Sequence, residues 1–297
     1  MNLEWIAVDW GTSSLRCWAM SSDGEPLAEA TSDRGMGSLK PDEFEDALLW
    51  LVGDWIEGPV TIVACGMVGA RQGWIEAAYR NVPTSPLGLP MTQPIVRDAR
   101  LRIQIVPGLS QSKPADVMRG EETQIGGFLA RNKTFDGVVA LPGTHTKWAR
   151  ISAGEVVGFQ TLMTGELFAL LSKQSVLRHS VANDGLDEAA FDAGIAEALS
   201  KPEAIAARLF SIRAESLVHR SDPVSARSQL SGLLIGAELA ATKAWWLGHA
   251  VALIGAGALS RLYARALATQ GVLAETVDVK HVTLAGLKAA YALTRAS

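Results

Sequence analysis

The chain has 297 residues, 48% of them hydrophobic and 20% charged, with a formal net charge of −4. This is the composition of an ordered globular protein, long enough for two domains of ordinary size. An acidic balance with no basic run lacks the footprint that neutralises a phosphate backbone, so nucleic-acid binding is not expected.

Residues 3–9 form an apolar run ending in Asp9, and 15–20 continue it after a turn of small residues. A third strand at 27–31 follows the Asp23-Gly24 turn, which makes an antiparallel meander. Residues 41–55 carry Phe44, Leu48, Leu51 and Trp55 at helical spacing, with Asp42, Glu43 and Glu45 in the first turn. A short buried strand follows at 60–64. The stretch 66–107 is rich in Gly, Pro and Arg, and only 101–106 reads as a strand. A helix is expected over 121–131, then strands at 137–141, 147–151 and 156–160. Helices are expected near 167–177, 187–199, 203–219 and 226–247. A buried strand at 251–254 runs into Gly255 and Gly257, and two last helices are expected at 260–270 and 284–294.

Cys17 and Cys65 lie in apolar strand-like runs and read as reduced core residues. Residues 1–9 lack the charged and apolar regions of a signal peptide, and no run approaches the ~18 apolar residues of a membrane helix. A soluble, cytoplasmic protein without membrane contact is expected.

The chain contains an internal echo. Asp9-Trp10-Gly11-Thr12-Ser13-Ser14 opens a hairpin after one buried strand, and Leu141-Pro142-Gly143-Thr144-His145-Thr146 opens another 132 residues later. A hairpin repeated once per half implies two similar α/β domains, 1–130 and 131–297, facing a shared cleft. In the first, Gly11 lets the backbone approach a ligand closely. The amides and hydroxyls of Thr12, Ser13 and Ser14 suit an anion, Arg16 adds a positive charge, and Asp9 suits Mg²⁺ through water. The second has the same parts in Gly143, Thr144, Thr146 and Lys147. Two such loops can grip the phosphates of one nucleotide. A polar turn explains either loop taken alone. His145 has no second His or Cys at ligand spacing and reads as a hydrogen-bonded loop residue rather than a metal ligand.

The late segment 253–260 runs from a strand through Gly255 and Gly257 into a helix, where small residues admit a ribose or base and the helix start favours anions. Ser260 occupies the place of the third glycine of a dinucleotide fingerprint, and no Gly-x4-Gly-Lys-Ser/Thr occurs. Before the second hairpin, Met118-Arg119-Gly120-Glu121-Glu122-Thr123-Gln124 opens a helix. The order of these motifs resembles the superfold of actin and hexokinase, in which a helix before the second phosphate loop carries the acid that accepts the proton in phosphoryl transfer to a hydroxyl, and that resemblance makes Glu121 or Glu122 the candidate. Both also read simply as first-turn acids favoured by the helix dipole.

Hairpin, second hairpin and late Gly-x-Gly occur in the order found in the superfold of actin, the heat-shock 70 ATPases, hexokinase and acetate kinase. The stretches 8–13, 65–74, 117–124, 141–148 and 161–167 more closely resemble the 2-dehydro-3-deoxygalactonokinase family. That resemblance implies an α/β two-domain actin-like ATPase (ribonuclease H-like) fold with mixed sheets, an inter-domain nucleotide cleft, and a last helix packed back on the N-terminal domain. It also implies transfer of the γ-phosphate of ATP, with Mg²⁺, to the 6-hydroxyl of 2-dehydro-3-deoxy-D-galactonate in galactonate breakdown.

Such a substrate carries a carboxylate, which a guanidinium grips with two parallel hydrogen bonds. Arg71 is the first candidate and Arg119 the second. Gln72 suits a hydroxyl, and Trp74 is either an apolar wall or core. Thr164 and Glu166 suit contact with nucleotide or sugar, or no more than a helix start. The rivals are a kinase for another sugar or sugar acid, an exopolyphosphatase-type phosphohydrolase of the same superfold, and a nucleotide-driven binding module. The oligomeric state stays open, a homodimer among the options.

Overall fold

The computed structural model describes residues 2–255 and 257–296. The chain divides into two compact units. One comprises Met1–Asp136, Ile151–Gly158 and Asp278–Ser297, and the other Gly137–Arg150 and Phe159–Val277.

The first unit begins with strands β1 (Trp5–Trp10), β2 (Leu15–Met20) and β3 (Pro26–Ser32), the expected antiparallel meander. Helix α1 (Phe44–Val52) then leads to β4 (Val60–Gly66), and β5 (Tyr79–Asn81) and β6 (Leu101–Ile105) follow. Strands β7 (Gly108–Ser112) and β8 (Ala115–Met118) precede helix α2 (Glu121–Arg131). The main sheet has the order β3-β2-β1-β4-β6, with β4 parallel to β1 and to β6. Its central strands are nearly continuous hydrophobic runs because both faces are covered. One face packs on Phe44, Leu48 and Val52 of α1. A second small sheet, β5-β7-β8, was not expected from the sequence. Its strands are three to five residues long and carry polar residues, too short for a period to register.

Next along the chain come β9 (Gly137–Leu141), β10 (Thr146–Ser152) and β11 (Glu155–Leu162), of which only the segment Ile151–Gly158 falls in the first unit, then α3 (Thr164–Lys173), α4 (Glu188–Ser200), α5 (Ile205–Val218), α6 (Pro223–Ala241) and the single turn α7 (Lys243–Trp246) of the second. Strand β12 (Val251–Gly255), helix α8 (Gly257–Ala268) and strand β13 (Glu275–Asp278) follow. The sheet order is β11-β10-β9-β12-β13, with β12 parallel to β9. The order around the central hairpin thus repeats that of the first sheet.

The final helix α9 (Val279–Ala296) belongs to the first unit and lies along α2. Glycine permits this approach. A Cβ on Gly127 would meet the Val282 carbonyl, and one on Gly286 would meet the Thr123 carbonyl. Helix α6 lies against α4 by the same device, since a Cβ on Gly232 would strike the Phe191 carbonyl. Asp187 caps α4 by accepting from the amides of Ala189 and Ala190, and Asp222 caps α6 at Ser225. Among the described residues no helix is long and apolar enough to cross a membrane.

Candidate active site

In the first unit, four chain segments converge at the ends of β1 and β4. Asp9 closes β1 opposite Arg16 of β2, and Arg16 Nη2 reaches Asp9 Oδ2 at 2.5 Å. Arg16 is thus paired with Asp9 through one nitrogen of its guanidinium. The turn between the strands is closed by the Gly11 amide donating to the Ser14 carbonyl at 2.8 Å. Its outer side is braced by residues 35–37, where the Met36 and Gly37 amides donate to the carbonyls of Gly11 and Thr12. Gly35 is required there, because a Cβ would collide with the Thr12–Ser14 backbone. The bracing leaves Thr12, Ser13 and Ser14 exposed.

Beside Asp9, β4 ends in Cys65 and Gly66. Gly66 has φ +89, and a Cβ there would lie 2.6 Å from the Trp10 carbonyl. Gly120, at φ +103, sits over Gly66 and turns the chain into α2. Two glycines thus bring the acidic start of α2 to the ends of the two central strands. The Cys65 thiol, pushed up first by burial, lies within the influence of both Asp9 and Glu122.

Glu121 and Glu122 differ sharply in environment. Glu122 is fully buried. Its carboxylate folds back on the helix start, accepting from the Gly120 amide at 2.6 Å and the Thr123 hydroxyl at 2.9 Å. Burial, then the neighbouring Glu121 charge, raises its pKa to about 7. Glu121 is half-buried and accepts from the Arg119 amide at 3.0 Å. A perturbed pKa marks Glu122, but a base must reach the proton it takes, and on that criterion Glu121 is the better placed of the two.

The two candidate arginines also separate. The Arg71 side chain is 80% exposed and pairs loosely with Glu76 at 3.5 Å. Gln72 beside it is exposed, and Trp74 packs into the core against Phe44 and Trp10. The Arg119 guanidinium lies 4.3 Å over the Tyr79 ring, and its Nη2 donates to the Ala77 carbonyl at 2.6 Å. Its Nε and Nη1 are buried without a hydrogen-bond acceptor among the described residues. Gly69 makes room for it, since a Cβ there would sit 2.9 Å from Nη1.

The second unit holds a cavity of about 850 Å³. Gly143, Thr144 and Thr164 line one part, and Arg227, Leu259 and Arg261 line another. Size and mostly apolar walls are those of a small-molecule site. The hairpin is packed on the start of α3: Gly165 fits beneath Gly143, the Glu166 amide donates to the Thr144 carbonyl at 2.9 Å, and His145 Nε2 lies 2.6 Å from Glu166. Glu166 thus holds the hairpin. Thr146 and Lys147 are buried, and Lys147 Nζ donates to Thr161 at 2.8 Å. Gly255 faces the Ser260 hydroxyl at the start of α8, and Gly257, at φ +66, opens that helix. Ala256 between them lies outside the described residues.

A model of the 2-keto-3-deoxy-galactonokinase family matches residues 9–290. The chain belongs to this family. A probable 2-dehydro-3-deoxygalactonokinase of Rhizobium meliloti (strain 1021) is 40% identical over 96% of both chains, and a 2-dehydro-3-deoxygalactonokinase of Escherichia coli (strain K12) is 35% identical over 91% of both. The crystal structure assigned to such a kinase from Sinorhizobium meliloti superposes with a TM-score of 0.88 at 40% identity, covering 97% of this chain and 95% of that one. Component A of (R)-2-hydroxyglutaryl-CoA dehydratase from Acidaminococcus fermentans superposes at 0.52 with 11% identity, covering 98% of each, which speaks to the fold alone. The fold is that of the actin-like ATPases, and this family member is a phosphotransferase of carbohydrate metabolism.

For a galactonokinase-family chain, two groups escaped the sequence reading. Glu238 and Tyr263 are buried beneath the second hairpin and bonded to one another at 2.8 Å. The trace was present in the run 233–241, where Glu238 is the one charge in a stretch otherwise built of Leu, Ile, Ala and Gly. A lone acid on an apolar face is rarely buried without partners.

Proposed function

We propose that this protein transfers the γ-phosphoryl group of ATP to the 6-hydroxyl of 2-dehydro-3-deoxy-D-galactonate, in the breakdown of galactonate. The observation that carries the substrate class is Arg119. A guanidinium with two buried, unpartnered nitrogens, close in sequence to the acids of α2, suits a sugar that bears a carboxylate. A neutral sugar offers such a cation only hydroxyl and carbonyl acceptors, without the charge-assisted bidentate pairing of a carboxylate.

In this reading Glu121 takes the proton of the attacking hydroxyl. Arg119 holds the carboxylate and so fixes which hydroxyl faces the phosphate. Thr12, Ser13, Ser14 and Thr144, exposed on their hairpins, donate to phosphate oxygens. Gln72 and Thr164 stay within the candidate set at lower rank, as do Arg71 and Glu166, whose side chains have partners of their own. The nucleoside occupies the cavity of the second unit, with Gly255 and Gly257 at the strand-to-helix junction that follows β12.

Asp9 fits Mg²⁺ held through water. It is an acid at a strand end, one oxygen already engaged by Arg16, and Mg²⁺ asks only one or two carboxylates of a protein when phosphates supply the rest. When bound, Mg²⁺ offsets charge on the phosphate oxygens. The buried, unpaired thiols of Cys17 and Cys65 support a cytoplasmic setting.

The test is ADP release with Mg-ATP and, in parallel, 2-dehydro-3-deoxy-D-galactonate, its gluconate epimer, galactose, glucose or no acceptor. Turnover with the first alone is expected. Equal release with and without acceptor overturns the kinase reading. Release with galactose or glucose but not the acids overturns the role of Arg119.

A further inference from the structure

Beneath the second hairpin lies a carboxylate that the phosphoryl-transfer reading does not use. Glu238, on α6, is 2% exposed. No lysine, arginine or histidine pairs with it among the described residues. It is held by neutral donors instead. Oε1 accepts from Trp148 Nε1 at 2.7 Å, and Oε2 accepts from Tyr263 Oη at 2.8 Å and from the Thr164 hydroxyl in a short bond. Tyr263 Oη also lies 3.0 Å from the Thr146 hydroxyl.

An ionised carboxylate is acceptor-only. Tyr263 and Thr164 must therefore donate to it, which leaves Tyr263 Oη to accept from Thr146. One charge thereby orders the hydroxyl hydrogens of Thr146, Thr164 and Tyr263 and engages the indole N–H of Trp148, on β10, α3 and α8. These are the elements that carry the hairpin, the helix start braced on the hairpin, and one side of the cavity. Thr164 and Tyr263 themselves line that cavity. Burying a carboxylate is costly, and here the donors offset that cost. Burial still leaves its pKa raised. A salt bridge or an apolar residue would fill the space, but neither would gather three donors on one carboxylate and, through Tyr263, direct a fourth.

We propose that Glu238 is a positioning residue: by fixing Thr146, Trp148, Thr164 and Tyr263 it sets the geometry of the second phosphate hairpin and the start of α3 for the nucleotide. The inference rests on the kinase reading above and specifies which substrate the cluster serves. The amide of Glu238→Gln can satisfy the donors at one atom only. It places an NH₂ against Trp148 Nε1, or against two hydroxyls that must then reverse.

The experiment is steady-state kinetics of Glu238→Gln, Thr164→Val and Thr164→Ser with both substrates varied, together with calorimetric binding of ADP. Circular dichroism and the melting temperature establish that each variant is folded. For Glu238→Gln, kcat/KM for ATP falls tenfold or more and ADP binding weakens in step, while KM for the sugar acid stays within twofold. Thr164→Val shows the same split to a smaller degree, and Thr164→Ser, which keeps the donor, restores activity to within about threefold of wild type.

Equal losses toward both substrates in folded Glu238→Gln, or unchanged ADP binding, overturn the proposal. Should Glu238→Gln not fold, the Thr164 pair decides: no difference between Val and Ser overturns it. A wild-type protein that binds ADP yet phosphorylates no acceptor defeats the kinase reading and leaves the ordering of the hairpin standing, still measured by ADP binding.

Discussion

The two units use one sheet order, five strands around a hairpin, for opposite ends. In the first, the strand ends converge on charge: Asp9 with Arg16, Glu122 against Cys65, and the Arg119 guanidinium on Tyr79. In the second, the matching region is an apolar-walled cavity, and the buried Glu238 carboxylate beside it is surrounded by hydroxyls and an indole. The cause lies in the segments that cover each sheet. Gly66 and Gly120 fold an acid-bearing helix start back over the first sheet, whereas α3, α6 and α8 stand around the second and leave room between them. A duplicated scaffold thus differentiates its two strand-end regions by loop and helix chemistry rather than by a different sheet.

The sharpest way to break this contrast is Glu121→Gln. If the first unit holds the base, kcat falls about 10²- to 10⁴-fold while calorimetric ADP binding is unchanged. A comparable fall for Glu122→Gln, with Glu121→Gln near wild type, would move the role to the buried acid. Next in size is Arg119→Met. Loss of a charged hydrogen-bonded grip of roughly 1.5–3 kcal/mol raises KM for the sugar acid about 10- to 100-fold and leaves KM for ATP alone. An increase in KM for ATP instead would place the cation on the phosphates.

The packing device shared by both units gives a third expectation. Gly127→Ala and Gly232→Ala each force a methyl onto a carbonyl of the facing helix, costing about 1–3 kcal/mol. Both melting temperatures should drop by several degrees. Wild-type melting of either variant would mean that the helices separate freely. Smaller is the pH effect of Glu122. Its pKa stands at about 7 against an ordinary 4.5. The folded chain therefore binds more protons than the unfolded one across that window, and ionising Glu122 costs stability as pH rises through it. Melting of wild type and Glu122→Gln at pH 5 and pH 8 should show the wild type losing more on going to pH 8. A gap that stays constant contradicts the burial argument. Smallest is Arg71→Ala, an exposed ion pair worth at most about 1 kcal/mol, which should change KM for the sugar acid less than threefold.

Local pattern carried much of this molecule. The meander 3–31, helix 121–131 and the late strand before Gly255 were legible because each is an apolar run bounded by turn residues. The echo of Gly11-Thr12 in Gly143-Thr144 announced a repeated hairpin. The strands β5, β7, β8 and β13 were not legible, being three to five residues each in polar or Gly/Pro-rich sequence. Among site residues, the types and their order along the chain were readable, and their ranking was not. Arg71 and Arg119 look alike in sequence, yet one lies in solvent beside Glu76 and the other lies half-buried over Gly69 and Tyr79.

Family, fold class and the presence of two similar hairpins follow from residues close together in the chain, since turns, strand runs and helix starts are local. Which glutamate is sealed and which is reachable, which arginine keeps two buried nitrogens unpaired, and why Glu238 is tolerated inside α6 depend on residues 40 to 90 positions away. Desolvation and hydrogen-bond supply are properties of the surroundings, and only the folded chain brings those surroundings together.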